Sequence, residues 1–121
     1  MRIAMVCLGN ICRSPIAEQV LRAKAATAGL ELEVVSAGTG SWHIGEPADP
    51  RAAAVLARVG YANQHRAQKF EASWFDSCDL ILVMDLSNRS NVLKLARNER
   101  DRAKVALLRD YDPSSPADSE V

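Results

Sequence analysis

The chain has 121 residues, 48% of them apolar and 25% charged, which suits one soluble globular domain long enough to build a core. Fifteen Lys and Arg balance fifteen Asp and Glu, so no global field recruits nucleic acid or a membrane surface. No apolar run approaches the roughly 18 residues of a membrane-spanning helix. The N-terminus lacks a signal-peptide layout, and three cysteines, an odd number, point to a reducing compartment, so the expected location is cytoplasmic.

In chain order, residues 3–6 (Ile-Ala-Met-Val) predict a buried strand, and residues 15–28 a helix with Ala17, Val20, Leu21, Ala25 and Ala28 on one face. Gly29 stops that helix. Residues 32–36 predict a second strand. The next helix is the best punctuated, with Asp49 as N-cap, Pro50 at its first position, Ala52, Val55, Leu56 and Val59 inward, and Gly60 beyond. A short helical turn is expected within 70–76, a continuous apolar strand at 80–84, a third helix over 87–97 and a fourth strand at 105–108. Strands alternating with helices predict a parallel sheet with right-handed crossovers, whose ligands bind at the carboxyl ends of the strands. Cys7, Ala37, Asp85 and Arg109 all follow such ends and should share one edge.

The run Cys7-Leu8-Gly9-Asn10-Ile11-Cys12-Arg13-Ser14-Pro15, between the first strand and first helix, carries the chemistry. A helix starting at Ser14-Pro15 would aim free N–H groups and the positive end of its dipole into the loop. That field, with Arg13 nearby, favours the thiolate of Cys7, the nucleophilic form. The planar Arg13 fork suits two phosphoryl oxygens, and the loop N–H groups suit an anion nest. Gly9 and Asn10 tolerate the backbone angles that such a curl requires.

This run resembles the signature loop of the low-molecular-weight protein tyrosine phosphatases. Ser36-Ala37-Gly38-Thr39-Gly40, Trp42-His43-Ile44-Gly45, Asp49-Pro50-Arg51, Met84-Asp85 and Leu108-Arg109-Asp110-Tyr111-Asp112-Pro113 resemble further segments of that family in the same order, so the likeness covers the chain. It implies an α/β fold of three αβα layers around a four-stranded parallel sheet, flavodoxin-like in type. It also implies hydrolysis of phosphotyrosine and aryl phosphates through a cysteinyl-phosphate intermediate, with no metal or cofactor. Expected partners are phosphotyrosine proteins or small aryl phosphates, not nucleic acid or membrane. The alternatives are an arsenate reductase on the same fold and a phosphate- or phosphopeptide-binding module. In the arsenate reductases a cysteine relay follows the third strand, whereas Cys78 here precedes it.

The resemblance also assigns supporting residues. The phosphate-binding loop is Leu8, Gly9, Asn10, Ile11, Cys12, Arg13 and Ser14, with Cys7 and Arg13 catalytic. Ser14 either caps the helix or donates to Cys7, and the resemblance favours the second. Asn10, Ser36 and His65 match a polar network bracing the loop, although His65 alone would read as an exposed loop residue. Cys12 is a small loop residue or, by resemblance, the reversible redox partner of Cys7. Trp42, in the long glycine-rich loop 37–47, is a packed anchor or an aromatic wall for the substrate ring, and the resemblance favours the wall. Asp85 is an acidic helix start or a supporting residue at the pocket rim. His43 reads as surface or rim, and Gln68, where relatives often carry arginine, receives no role. The family's general acid is expected beyond Val121, with Asp118 a weak fallback and Asp112 matching a different position. The chain is therefore read as a single domain, 1–121, truncated before a final helix. One sheet face would then be thinly covered, and the protein would be a monomer or a weak self-associating species.

Overall fold

A computed structural model describes residues 1–60, 65–116 and 119–121. Four parallel strands form the sheet: β1 (Arg2–Cys7), β2 (Glu33–Gly38), β3 (Leu80–Val83) and β4 (Val105–Leu107), in spatial order β2-β1-β3-β4. The order reverses at β1, where the chain first steps to one neighbour and later to the other, and a crevice opens at the carboxyl end of such a strand. Register pairs Val6 with Ala37 and Val83, so Cys7 and Gly38 end their strands beside Met84, the first residue after β3. The apolar runs of β1 and β3 are buried on both faces.

Helices α1 (Arg13–Thr27), α2 (Pro50–Arg58), α3 (Trp74–Ser77), α4 (Leu86–Leu93) and α5 (Glu99–Ala103) connect the strands. One sheet face carries the main core, where Ala4, Val6, Ile81, Val83 and Leu107 meet Phe70, Phe75 and Val92. Phe70 and Phe75 meet edge to face at 5.4 Å between ring centroids, which anchors α3 there. On the other face Ile3, Met5, Val34, Leu82 and Met84 meet Ala17 and Leu21 of α1. No described helix covers the β3–β4 half of that face, which remains an open groove of about 340 Å³ floored by Leu80 and Leu82 and edged by Leu108 and Tyr111.

Several details differ from the expectation. Helix α1 starts at Arg13 with Cys12 as N-cap, one residue before Ser14-Pro15. Its buried residues include Ser14, Glu18 and Gln19, while Ala28 is exposed, because its first turns lie under the polar loop rather than over the apolar sheet. In α2 the Asp49 carboxylate caps the Arg51 N–H as expected, but only Ala52 and Leu56 are buried. Val55 and Val59 face water, because a nine-residue helix contacts its neighbour α1 along one narrow i, i+4 stripe. The third helix stops at Leu93, and α5 was missed altogether. Two side chains hold its start: Asn98, the N-cap, accepts from the Asp101 N–H, and Asp101 accepts from the N–H of Arg97, one residue before the cap.

Candidate active site: a phosphate-sized cradle around Cys7

Cys7 ends β1 and is buried, and the chain from Leu8 to Cys12 loops around its sulfur before α1 begins. Five of the carbonyls from Cys7 to Cys12 are held, four by residues beyond the loop and one by the first turn of α1. Cys7 O accepts from Thr39 N–H, Leu8 O from Gly40 N–H, Asn10 O from His65 Nε2–H, Ile11 O from Asp49 N–H and Cys12 O from Ile16 N–H. In a trans peptide the carbonyl and the following N–H point in opposite directions. Fixing these oxygens outward therefore turns the N–H groups of Leu8, Gly9, Ile11, Cys12 and Arg13 toward the cavity. The result is a ring of donors that fits an oxyanion group.

Asn10 makes the curl possible and holds it. Its φ of 58° lies in the left-handed region, and its side chain is fully buried. Asn10 Nδ2 donates to Ser14 Oγ at 2.8 Å and to Ser36 Oγ at 2.9 Å, while Oδ1 accepts from the Gln68 N–H at 2.9 Å. Both donors and the acceptor of this amide are thus used. Ser36 in turn donates to the buried Glu18 carboxylate, which pairs with Arg22 at 3.0 Å. Gln68 Nε2 bonds Ser36 O at 3.0 Å. The three expected bracing residues, Asn10, Ser36 and His65, do converge under the loop. Sequence reasoning missed Glu18 and Gln68, the two that complete the network.

Ser14 Oγ lies 3.0 Å from Cys7 Sγ, and the Asn10 N–H reaches the same sulfur at 3.3 Å. Because Ser14 Oγ already accepts from Asn10, its own proton is free to go to Cys7. Two polar groups thus converge on one sulfur. Ser14 is the second residue of α1 rather than its N-cap, and its hydroxyl lies between Asn10 Nδ2 and Cys7 Sγ.

Arg13, on the first turn of α1, turns its Nη1 to Asp85 Oδ2 at 2.8 Å. Asp85 ends the β3 edge and caps α4 by accepting from the Asn88 N–H at 2.7 Å. Burial alone would raise its carboxyl, but the Asn88 N–H and the Arg13 guanidinium outweigh that and hold it below the ordinary carboxylate range. Cys12 behaves oppositely: burial pushes its thiol up, and the Asp49 carboxylate adds to the effect.

The resulting cavity, about 200 Å³, is lined by Cys7, Leu8, Gly9, Ile11, Cys12, Arg13, Trp42 and His43. Trp42 is 72% exposed and lines the cavity, so it is not packed into the core as an anchor. Its ring occupies the space over Gly40, where a Cβ would lie 2.0 Å from the indole. His43 packs against Gly9 and pairs with Glu46. Gly38 is required by a close approach, since a Cβ there would stand 2.6 Å from Leu8 O. Asp112 is tied to Ser114 and Ser115, whose hydrogen bonds hold its carboxyl below the ordinary range and keep it ionised. Asp118 lies outside the described residues.

Residues 2–121 match the family profile described as low molecular weight phosphotyrosine protein phosphatase. The chain belongs to that family. It is 53% identical over 115 residues to a low molecular weight protein-tyrosine-phosphatase of Streptomyces coelicolor, spanning 93% of this chain and 70% of that protein. A crystal structure of a protein tyrosine phosphatase from Entamoeba histolytica with Hepes in the active site superposes with a TM-score of 0.91 at 31% identity, covering 98% of this chain and 77% of that one. A Drosophila arginine phosphatase superposes with a TM-score of 0.86 at 32% identity, covering 92% and 73%. The fold is thus that of the family, a parallel four-stranded sheet between helical layers, and the family's members are hydrolases.

Proposed function

We propose that this family member removes phosphate from phosphotyrosine, in proteins or small aryl phosphates, with Cys7 as nucleophile and Arg13 as the transition-state clamp. The observation that carries the reading is the sulfur of Cys7 at the floor of a cavity edged by inward N–H groups, with Ser14 and Asn10 donating to it. The Cys7 thiolate attacks phosphorus, an S–P bond forms, and the P–O bond to the phenol breaks, its electron pair leaving with the phenolic oxygen, which takes up a proton. Water then attacks phosphorus and gives up a proton to solvent, the S–P bond breaks with its electron pair returning to sulfur, and inorganic phosphate leaves a thiolate toward which Ser14 directs its hydroxyl. Arg13 and the N–H ring face the charge that grows on the equatorial oxygens.

Aryl phosphate is favoured over phosphoarginine, the substrate class named for one structural neighbour. The cavity is lined by Leu8, Ile11 and the Trp42 ring and, among the described residues, by no carboxylate to receive a leaving guanidinium. A flat ring fits that mouth and can stack on the indole. The arsenate-reductase reading has no support in the cysteine placement, because Cys78 is buried in the main core before β3, at the opposite edge of the sheet. Cys7, Cys12 and Cys78 are free thiols, in keeping with a reducing cytoplasm. No described helix is long and apolar enough to cross a membrane.

Parallel assays with nitrophenyl phosphate, phosphotyrosine, phosphoarginine and phosphoserine test this function. The expected order puts the aryl esters first. Since no described carboxylate lines the cavity to protonate the leaving oxygen, nitrophenyl phosphate should exceed phosphotyrosine by roughly 10²-fold or more, the size of a general-acid contribution. Preference for phosphoarginine would overturn the substrate assignment.

A further inference from the structure

Beyond the cradle, the final descending segment is tied to the carboxyl edge of the sheet by one residue that has no role in the account above. Arg109, just after β4, donates through Nε and Nη2 to Ser115 Oγ at 3.2 and 2.7 Å, and through Nη1 to Glu120 O at 3.0 Å. Its guanidinium therefore ties a strap, residues 119–121, to Ser115. The far end of that strap is fastened again. The Val121 N–H donates to Met84 O at 2.8 Å, and Glu120 Oε2 accepts from the Leu86 N–H at 2.8 Å.

These contacts flank Asp85. The α4 N-terminus offers free N–H groups just after this residue, and two carboxylates share them: Glu120 takes that of Leu86, Asp85 Oδ1 that of Asn88. Asp85 Oδ2 is thereby left for Arg13 Nη1, which also lies 3.4 Å from Val121 O. Without the strap, the backbone on both sides of Asp85 loses its ties, at Met84 O and at the Leu86 N–H, and Arg13 loses the fixed partner that orients its fork.

We infer that Arg109 is a positioning residue for the phosphate clamp: it holds the strap so that Glu120 caps α4 and Asp85 is kept for Arg13. This rests on the phosphatase reading for its link to turnover, but not for its link to anion binding. The chain of contacts is Arg109 to Glu120, Glu120 to the start of α4, and Asp85 to Arg13. Arg109 itself is not among the residues that line the cavity.

The test is a double-mutant cycle in the 121-residue chain, reading both kcat for nitrophenyl phosphate and the dissociation constant of inorganic vanadate. Arg109→Ala should lower kcat and weaken vanadate by about fivefold when Asp85 is present, and by less than about twofold in an Asp85→Asn background, as expected for residues acting on one contact. Arg109→Lys should rescue only in part, because a point charge cannot bridge Ser115 and Glu120 as a fork does. Should Arg109→Ala fail to fold, Glu120→Ala, an exposed change that removes the acceptor for the Leu86 N–H, enters the same cycle with the same expectation. Equal losses in both Asp85 backgrounds, or no loss with Asp85 intact, would overturn the inference. Coupled vanadate binding without aryl phosphate hydrolysis would uphold it and contradict the phosphatase reading instead.

Discussion

Arg13 Nη1 lies 2.8 Å from Asp85 Oδ2, joining the first turn of α1 to the N-cap of α4 across 72 residues of sequence. The pair fixes the one cation that lines the cavity among its described residues, and it does so from the carboxyl edges of two adjacent strands. A guanidinium held in place before substrate arrives need not be ordered in the transition state.

Asp85→Asn should therefore lower kcat by about tenfold, the scale of a small misplacement of a catalytic group, with modest effect on folding. The pH dependence follows from the sign of its shift. A carboxyl lowered in the folded protein contributes fully above its unfolded value of about 3.9, and the contribution fades as pH falls through the lowered folded value. The acid limb of the wild-type profile should then carry no inflection from Asp85 above about pH 4. A wild-type rate for the asparagine variant, measured by steady-state kinetics, would leave Asp85 with only its helix cap.

Asn10 makes two separable contributions, a left-handed backbone and a saturated side chain. Asn10→Gly keeps the first and removes the second; Asn10→Ala removes both. Each should lose roughly 1–3 kcal/mol of stability, since Ser14, Ser36 and the Gln68 N–H lose buried partners. Alanine should be the worse of the two by about 1 kcal/mol for the strained φ. Thermal melts of both variants check this. A glycine variant as stable as wild type would show that the network adds nothing to the loop.

Much of this was legible in the sequence, and the limits follow from physics. The loop from Cys7 to Ser14 is a local object: its nucleophile, curl and helix start lie within eight consecutive residues, so the run itself carried the reading. The sheet was equally plain, because fully buried parallel strands leave continuous apolar runs such as Leu80-Ile81-Leu82-Val83. Glu18 and Gln68 were invisible because their roles exist only after folding. Glu18 sits one turn along α1 as an ordinary acid, and Gln68 acts largely through its backbone N–H. The inward reading of Val55 and Val59 failed because amphipathic spacing reports a stripe, not how much of it a neighbour covers. Helix α5 was missed although Asn98 and Asp101 carry a capping pattern, since its five residues are too few for periodicity.

The two loop cysteines should respond differently to oxidants. Burial and Asp49 keep Cys12 a protonated thiol, a poor first target, whereas Cys7 receives two hydrogen-bond donors on its sulfur. Mild peroxide should inactivate the protein, a thiol reductant should restore it, and peptide mapping should find a Cys7–Cys12 disulfide. In Cys12→Ala the same dose should cause irreversible loss. Equal recovery in both proteins would remove the protective role of Cys12.

The most direct measurement traps the phosphoenzyme. Wild-type chain mixed with excess nitrophenyl phosphate and quenched in denaturant within milliseconds should carry one phosphoryl group on the sulfur of Cys7, seen by mass spectrometry of the intact protein and its N-terminal peptide. Cys7→Ser should lose turnover yet still bind vanadate, because the N–H ring and Arg13 remain. Hydrolysis by wild type with no phosphorylated Cys7, together with appreciable turnover by the serine variant, would contradict covalent catalysis at this residue.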